Sequence, residues 1–204
     1  MSQFVRRFQL PIVVALVLTG SAFLLKMCYL SLAFNTVFGI TYLTAFYGFV
    51  RTRYNVVVPT LLLAFVFVGL EIDALGNYFH MYGREFGPFH YDEFAHLTIQ
   101  GLATPIIVWL MREALERFGH QLSLGFTTFF AGTTIFSLSA FYEVIELWDE
   151  VYFNGHRIWS LHDTANDLQF DLFGIILGSL LAYALLRRTV TQAERQRRQP
   201  LPSV

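Results

Sequence analysis

Acidic residues and one histidine recur at helical spacing in three separate stretches of the sequence. Residues three or four positions apart lie on one face of a helix, so each stretch predicts a polar stripe. The stripes are Asp92, His96 and Gln100 in the first stretch, Glu143 and Glu146 in the second, and Asp163, Asp167 and Asp171 in the third. Carboxylate oxygens with one imidazole and no usable cysteine favour a hard or borderline divalent ion, with Mn, Fe, Zn, Mg and Ca all compatible.

This chemistry assigns a role to seven of these residues. The expected metal ligands are His96, Glu143, Glu146, Asp167 and Asp171, and the expected ion is Zn, Mn or Fe. The expected catalytic residues are Asp92, which would orient His96, and Asp163, which would act as a base. A redox metal with oxygen chemistry would use the same ligands, and the residue types leave both kinds of reaction open.

The composition indicates that apolar membrane helices position these residues. Hydrophobic residues make up 55% of the 204 residues and charged residues only 14%, whereas a soluble domain has about 25% charged residues. A single cysteine, Cys28, excludes an intrachain disulfide framework and a cysteine-rich metal site. The net charge of −1 gives the chain no global attraction to nucleic acid. The sequence therefore predicts an all-α integral membrane protein in contact with the lipid bilayer.

Six apolar stretches are each long enough to cross a bilayer core of about 30 Å. They cover approximately residues 9–25, 28–50, 55–76, 94–111, 124–148 and 167–186. Arg6 and Arg7 give the first stretch the look of a signal peptide, but another apolar stretch follows Lys26, which favours an uncleaved span. We expect one six-helix transmembrane domain over residues 1–186 and a basic tail over residues 187–204.

The distribution of basic residues predicts the orientation of these spans. Of the 14 Lys and Arg residues, all but Lys26, Arg84 and Arg157 fall on one side of a six-span arrangement. Because basic loops stay in the cytoplasm, both termini are expected there. Most acidic residues, including all three stripes, then lie in the outer half of the membrane.

Convergence of these acids in the membrane is costly enough to require an explanation. An ionisable side chain at the centre of a spanning helix costs about 2.5 to 3.5 kcal/mol even on a lenient scale. Protonation, paired cations or a bound metal would relieve the repulsion. Simpler interpretations remain for single residues, since Asp92 and Asp163 stand where helix caps occur. Gly174 and Gly178 continue the stripe of Asp163, Asp167 and Asp171, and small residues predict that this face looks into the bundle.

The three stretches together resemble a family, the YjdF-like bacterial inner-membrane proteins. The resemblance covers approximately residues 88–180. It rests on His90, Tyr91, Asp92, His96, Gln100 and Gly101, then Tyr142, Glu143, Glu146 and Trp148, then Asp163, Thr164, Asp167 and Gly174. It implies a six-span fold and a site at Asp92, His96, Glu143, Glu146, Asp163 and Asp167, but no activity, because the family is uncharacterised. Asp171 departs from the family pattern. The VanZ-like membrane proteins are similar more loosely.

Three classes of function fit these observations. The first is a metal-dependent membrane enzyme that acts on a lipid or another hydrophobic small molecule at the outer leaflet. The second is an ion or proton transporter, which the apolar cytoplasmic halves of the spans disfavour. The third is a structural or assembly subunit in which the polar cluster locks the helices together. The oligomeric state and the protein partners are not encoded in these patterns.

Overall fold

A computed structural model describes residues 32–154, 158 and 162–198 as five helices and one small hairpin. In chain order these are α1 Leu32–Tyr54, α2 Thr60–Tyr78, β1 Glu85–Phe86, β2 Phe89–His90, α3 Tyr91–Arg117, α4 Leu124–Phe153 and α5 Asp163–Arg198. The strands β1 and β2 pair antiparallel, with Glu85 opposite His90. The architecture is therefore a helical bundle whose only sheet, within the described residues, is this hairpin before α3.

Four of the five described helices are long and apolar enough to cross a membrane. They are α2, α3, α4 and the part of α5 from Asp163 to Arg187, and they correspond to the third to sixth predicted spans. The predicted span over residues 28–50 overlaps α1, which is helical but is not one of the four. The predicted span over residues 9–25 lies outside the described residues. The helical membrane fold is confirmed, and the count of six spans stays a prediction.

The helices differ from the predicted spans mainly at their ends. The α3 helix begins before the predicted stretch and ends after it, because its first and last turns are polar rather than apolar. The α5 helix runs without interruption to Arg198, so its backbone continues into the predicted basic tail. Hydropathy detects the apolar centre of a span, whereas the helix extends as far as its backbone hydrogen bonds continue.

Helix α3 lies at the centre of the bundle. The α2, α4 and α5 helices all pack on α3, α4 also packs on α5, and α1 packs on α2. Many large apolar side chains of α4 point outward, including Phe126, Phe129 and Phe141, which are more than half exposed. Such side chains are the expected contact with lipid tails.

Glycines allow α3 and α5 to approach closely. A methyl group on Gly178 would overlap the carbonyl oxygen of Gly101 and would lie 2.7 Å from Thr104 Cβ, and one on Gly174 would overlap the carbonyl oxygen of Leu97. Pro105 sits inside α3 and has no amide hydrogen, so the Gly101 carbonyl lacks its usual partner within the helix. The Gly101 carbonyl therefore packs against α5 at Gly178, where α5 carries no side chain.

Small buried residues close the end of the bundle opposite the acids. Val108, Ala131 and Ala182 are at most 1% exposed and form one apolar cluster of α3, α4 and α5. At the same end, the Arg117 guanidinium donates a hydrogen bond to the carbonyl oxygen of Tyr54 at 2.5 Å. The buried acidic residues of these three helices, Glu143, Asp167 and Asp171, lie towards the other end.

Candidate metal centre

The first turn of α3 is capped by residues other than the candidate ligands. The His90 amide donates to Glu93 Oε2 at 3.0 Å, and the Tyr91 amide donates to the Arg84 carbonyl at 2.9 Å. Glu93 also accepts a hydrogen bond from the side-chain amide of Asn166 on α5. The Glu93 carboxylate thus caps the start of α3. This leaves the Asp92 carboxylate for His96, which lies one turn further along the helix.

The His96 imidazole lies between two carboxylates. Its Nδ1 is 2.9 Å from Asp171 Oδ1, and its Nε2 is 3.5 Å from Asp92 Oδ1. Asp171 belongs to α5 and is completely buried, whereas Asp92 and His96 keep some exposure. A hydrogen bond between Nδ1–H and Asp171 leaves Nε2 available on the side of Asp92.

Asp171 joins all three central helices. The Ser139 hydroxyl on α4 donates to Asp171 Oδ2, while His96 on α3 contacts Asp171 Oδ1. Ser139 Oγ in turn accepts a hydrogen bond from Gln100 Nε2 at 3.3 Å. The predicted polar stripes of α3, α4 and α5 therefore meet in one connected network.

Two overlapping groups of side chains have the spacing of metal ligands. The first, here called the outer group, consists of Asp92, His96 and Asp167, and the second, the inner group, consists of His96, Glu143 and Asp171. Within each group, one ligand atom per residue lies within 4.8 Å of the others. Movements of about an ångström would bring such atoms to metal–ligand distances of roughly 2.0 to 2.2 Å.

Within the part of the chain that the structure describes, the inner group contains a buried polar atom without a hydrogen-bond partner. Glu143 is only 3% exposed, and its Oε1 accepts no hydrogen bond within the described residues. Leaving a buried acceptor unsatisfied costs about 1 to 3 kcal/mol, and more when the group is charged. A bound cation, or a proton on the carboxylate, would satisfy this oxygen beside His96 and Asp171.

A cavity of about 520 Å³ opens beside the outer group. Asp92 and Asp167 line it, together with Gly83, His90, Glu93, His162, Asp163, Ala165, Asn166 and Gln169. Glu143 and Asp171 do not line this cavity. Two members of the outer group, Asp92 and Asp167, are therefore accessible to a ligand, whereas His96 and the inner group lie beyond them within the packed helices.

The structure brings together five of the seven residues predicted for the site, namely Asp92, His96, Glu143, Asp167 and Asp171. Asp163 lines the cavity at the first residue of α5, and Glu146 lies about one turn beyond Glu143 on α4. Among the described residues, neither belongs to the two groups that have metal-ligand spacing. The ligand role of Glu146 and the catalytic role of Asp163 stay predictions.

Tyr82 is a neighbour of the site that the sequence analysis did not identify. Its hydroxyl donates to Asp73 Oδ1 at 2.7 Å, and its ring packs edge-on against Tyr91. Gly76 makes room for both rings, since a methyl there would overlap Tyr91 and lie 2.7 Å from Tyr82. Burial, followed by the negative charge of Asp92, raises the pKa of the Tyr82 phenol well above its usual value of 10.0. A loop tyrosine has no periodic pattern, so only the three-dimensional contact reveals it.

The fold and the site define a helical integral membrane protein with a buried carboxylate–histidine cluster. The chain matches the family described as "Predicted membrane protein (DUF2238)" over residues 6–191, and it belongs to that family. This is the YjdF-like family, so the resemblance in the sequence is confirmed. No curated protein and no solved structure matches the chain.

Proposed function

We propose that this protein is a metal-dependent enzyme of the bacterial inner membrane that acts on a lipid or another hydrophobic substrate. In this proposal a divalent ion, Zn, Mn or Fe, is held by Asp92, His96 Nε2 and Asp167. The observation that carries the proposal is the outer group, which brings these side chains together and opens on the cavity through Asp92 and Asp167. Three protein ligands would leave coordination positions for water or substrate.

The contacts of His96 support its role as a ligand. Metal-binding histidines usually donate their second ring N–H to a carboxylate, which fixes the orientation of the imidazole. Asp171 stands in this position, at 2.9 Å from Nδ1, and Ser139 holds Asp171 in place. In this arrangement Asp171 orients His96, whereas the sequence analysis expected it to bind the metal directly.

Charge balance also supports a divalent ion in the outer group. Asp92 and Asp167 bring two negative charges, and a neutral imidazole brings none. A divalent ion makes the group neutral, which removes most of the cost of holding carboxylates within the membrane. When bound, such an ion would act as a Lewis acid on a water molecule or on a carbonyl or phosphoryl oxygen of the substrate. Asp163 lines the same cavity and is our candidate for the base.

One observation favours a structural role as the second candidate. Both ring nitrogens of His96 lie near carboxylates, so a protonated imidazole could bridge Asp92 and Asp171 without a metal. This lock would hold α3 against α5. A transporter is less consistent with the fold, because the apolar cluster of Val108, Ala131 and Ala182 closes the opposite end.

Elemental analysis of the purified chain tests the metal site. The protein is prepared in mild detergent without chelators or metal-affinity chromatography, together with His96→Ala and Asp167→Asn. His120→Ala is the matched control, since His120 is exposed in the loop between α3 and α4. We expect bound metal in the wild type and the control, and its loss from the two folded site variants.

A well-folded wild type that takes up no ion after incubation with Zn, Mn and Fe would contradict the metal site. The structural alternative would then be favoured if His96→Ala still lowered the thermal stability. For the enzymatic role, metal-loaded protein in liposomes is incubated with lipid mixtures and products are followed by mass spectrometry. Asp163→Asn should keep the metal and lose turnover, and unchanged turnover would contradict its role as base.

A further inference from the structure

The inner group provides a second set of oxygen ligands behind the outer group. Glu143 and Asp171 are 3% and 0% exposed, and the Ser139 hydroxyl contacts Asp171 Oδ2. These oxygens come from α4 and α5, whereas α3 contributes only the His96 ring. The inner group thus differs from the outer group in its burial, since both of its carboxylates are almost completely buried whereas Asp92 keeps some exposure.

The two groups share His96 but use different sides of its ring. In the proposed function Nε2 faces the outer ion, while Nδ1 lies 2.9 Å from Asp171 Oδ1. The carboxylates of Glu143 and Asp171 keep the spacing of metal ligands on this inner side.

The unpaired oxygen of Glu143 is an independent indication of a missing ligand. Its Oε1 is buried and accepts no hydrogen bond within the described residues. The Glu143 carboxylate is also close enough to His96 and Asp171 to share an ion with them. A bound cation would satisfy this oxygen and compensate the two carboxylates at the same time.

We propose that the inner group binds a second cation, so that the site holds two ions. Its ligands are carboxylate oxygens of Glu143 and Asp171, with the Ser139 hydroxyl oxygen beside them. Oxygen ligands select a hard divalent ion such as Mn²⁺ or Mg²⁺. This inference rests on the proposed function, because the second ion would lie directly behind the ion held by the outer group. It also extends that function, since a pair of ions can bind both the attacking and the leaving oxygen of a substrate.

A titration with Mn²⁺ tests the second ion. The full chain in detergent, first freed of metal, is titrated with Mn²⁺, and bound ion is measured after removal of free ion. The variant is Glu143→Gln, which keeps the size of the side chain and removes its charge. Glu85→Gln, in the exposed hairpin, is the matched control. Circular dichroism and gel filtration verify that all three proteins are folded.

We expect the wild type and Glu85→Gln to bind twice as much Mn²⁺ as Glu143→Gln. Since both groups contain His96, the two ions would be close enough for their electron spins to interact. The electron paramagnetic resonance spectrum of the wild type should show a coupled pair, and that of Glu143→Gln an isolated ion.

The remaining outcomes separate this inference from the proposed function. One equivalent of Mn²⁺ in both wild type and Glu143→Gln would overturn the inference and leave the proposed function intact, because protons would then compensate the inner acids. Two equivalents in both proteins would place the second ion elsewhere and would also overturn it. No binding of Mn²⁺ in any folded protein would overturn the inference, and the proposed function would fall with it only if Zn and Fe also failed to bind.

Discussion

The hydroxyl of Tyr82 connects the loop over residues 79–90 to the membrane helices beside the site. It donates to the buried carboxylate of Asp73 on α2, while Tyr91 donates to the carbonyl oxygen of Ile72 at 2.5 Å. Both tyrosines therefore tie residues near the start of α3 to the end of α2. Since Asp92 follows Tyr91 directly, these two hydrogen bonds fix the position of Asp92, the first residue of the outer group.

We predict that Tyr82→Phe lowers the free energy of unfolding by about 1 to 3 kcal/mol, because Asp73 loses a donor. The ring remains in its slot against Gly76 and Tyr91. Thermal unfolding in detergent measures the effect, with Tyr152→Phe as the control, since Tyr152 is 72% exposed. Equal losses in the two variants would contradict a specific role for the Tyr82 hydroxyl.

The difference in stability between the wild type and Tyr82→Phe also depends on pH. The folded state raises the pKa of Tyr82 above 10.0, so below pH 10 the phenol is protonated in both states and its contribution is complete. As the pH rises beyond this value, only the unfolded state loses the proton, and the wild type loses stability. The difference between wild type and Tyr82→Phe should therefore narrow above pH 10.

The sequence alone predicted that the polar residues lie close together, but it did not predict which of them contact each other. Helical spacing predicted the stripes, and the topology predicted that they meet, because both follow from the backbone alone. Whether Asp171 contacts His96 or a metal depends on side-chain rotamers, which spacing does not determine. Glu146 shares a face with Glu143 by spacing, yet among the described residues only Glu143 joins a ligand group.

At the scale of elements, the contact between α3 and α5 determines the geometry of the site. Four of the five grouped residues belong to these two helices, and the remaining one, Glu143, belongs to α4. The glycine contact, at Gly101, Gly174 and Gly178, lies about one to two helical turns from the ligands, towards the opposite end of the bundle. The separation of the ligands therefore depends on residues that bind nothing themselves.

We predict that Gly178→Ala destabilises the protein by about 1 to 3 kcal/mol and weakens metal binding, because the methyl forces α5 away from α3. Gly48→Ala is the control, as a methyl at Gly48 meets nothing within 4 Å. That control should be neutral or stabilising by up to about 1 kcal/mol, since alanine favours the helix. Unfolding and metal titration measure both effects, and equal behaviour of the two variants would contradict the close contact.

The elements were predictable to different degrees. Apolar length predicted the four spanning helices, and the glycine spacing predicted which face of α5 is buried. The hairpin β1–β2 was not predicted, because two-residue strands have no detectable alternation. Its role is nevertheless specific, since it leads directly into the first turn of α3.

At the scale of the whole molecule, the two ends of the bundle differ in the residues that the central helices bury. The cavity and the acids occupy one end, and the cluster of Val108, Ala131 and Ala182 occupies the other. Combined with the distribution of basic residues, this asymmetry leads us to propose that the cavity faces the outer side. A substrate from the outer leaflet would then reach the outer group without crossing the membrane.

Cysteine labelling of intact cells checks this orientation. In a Cys28→Ser background, Arg84→Cys in the loop before the hairpin should react with a membrane-impermeant maleimide. His120→Cys, in the loop at the opposite end, should react only after the membrane is permeabilised. Both native residues are exposed, so the two sites are equally accessible within the protein itself. The reverse pattern would place the cavity in the cytoplasm and would contradict a substrate from the outer leaflet.

The Gly101–Gly178 contact also restricts how the protein can move. If α5 slid along α3 by one turn, about 5.4 Å, one glycine would take the place of the other, and Phe170 or Ala182 would enter the contact with the backbone of α3. Helix α4 is less constrained, because a methyl on Gly132 would lie 3.4 Å from Ile175, an ordinary packing distance. These contacts predict that α4 is displaced more easily than α3 and α5 are separated from each other. Such a displacement would move Glu143 and Ser139 away from Asp171, while Asp92, His96 and Asp167 would keep their spacing.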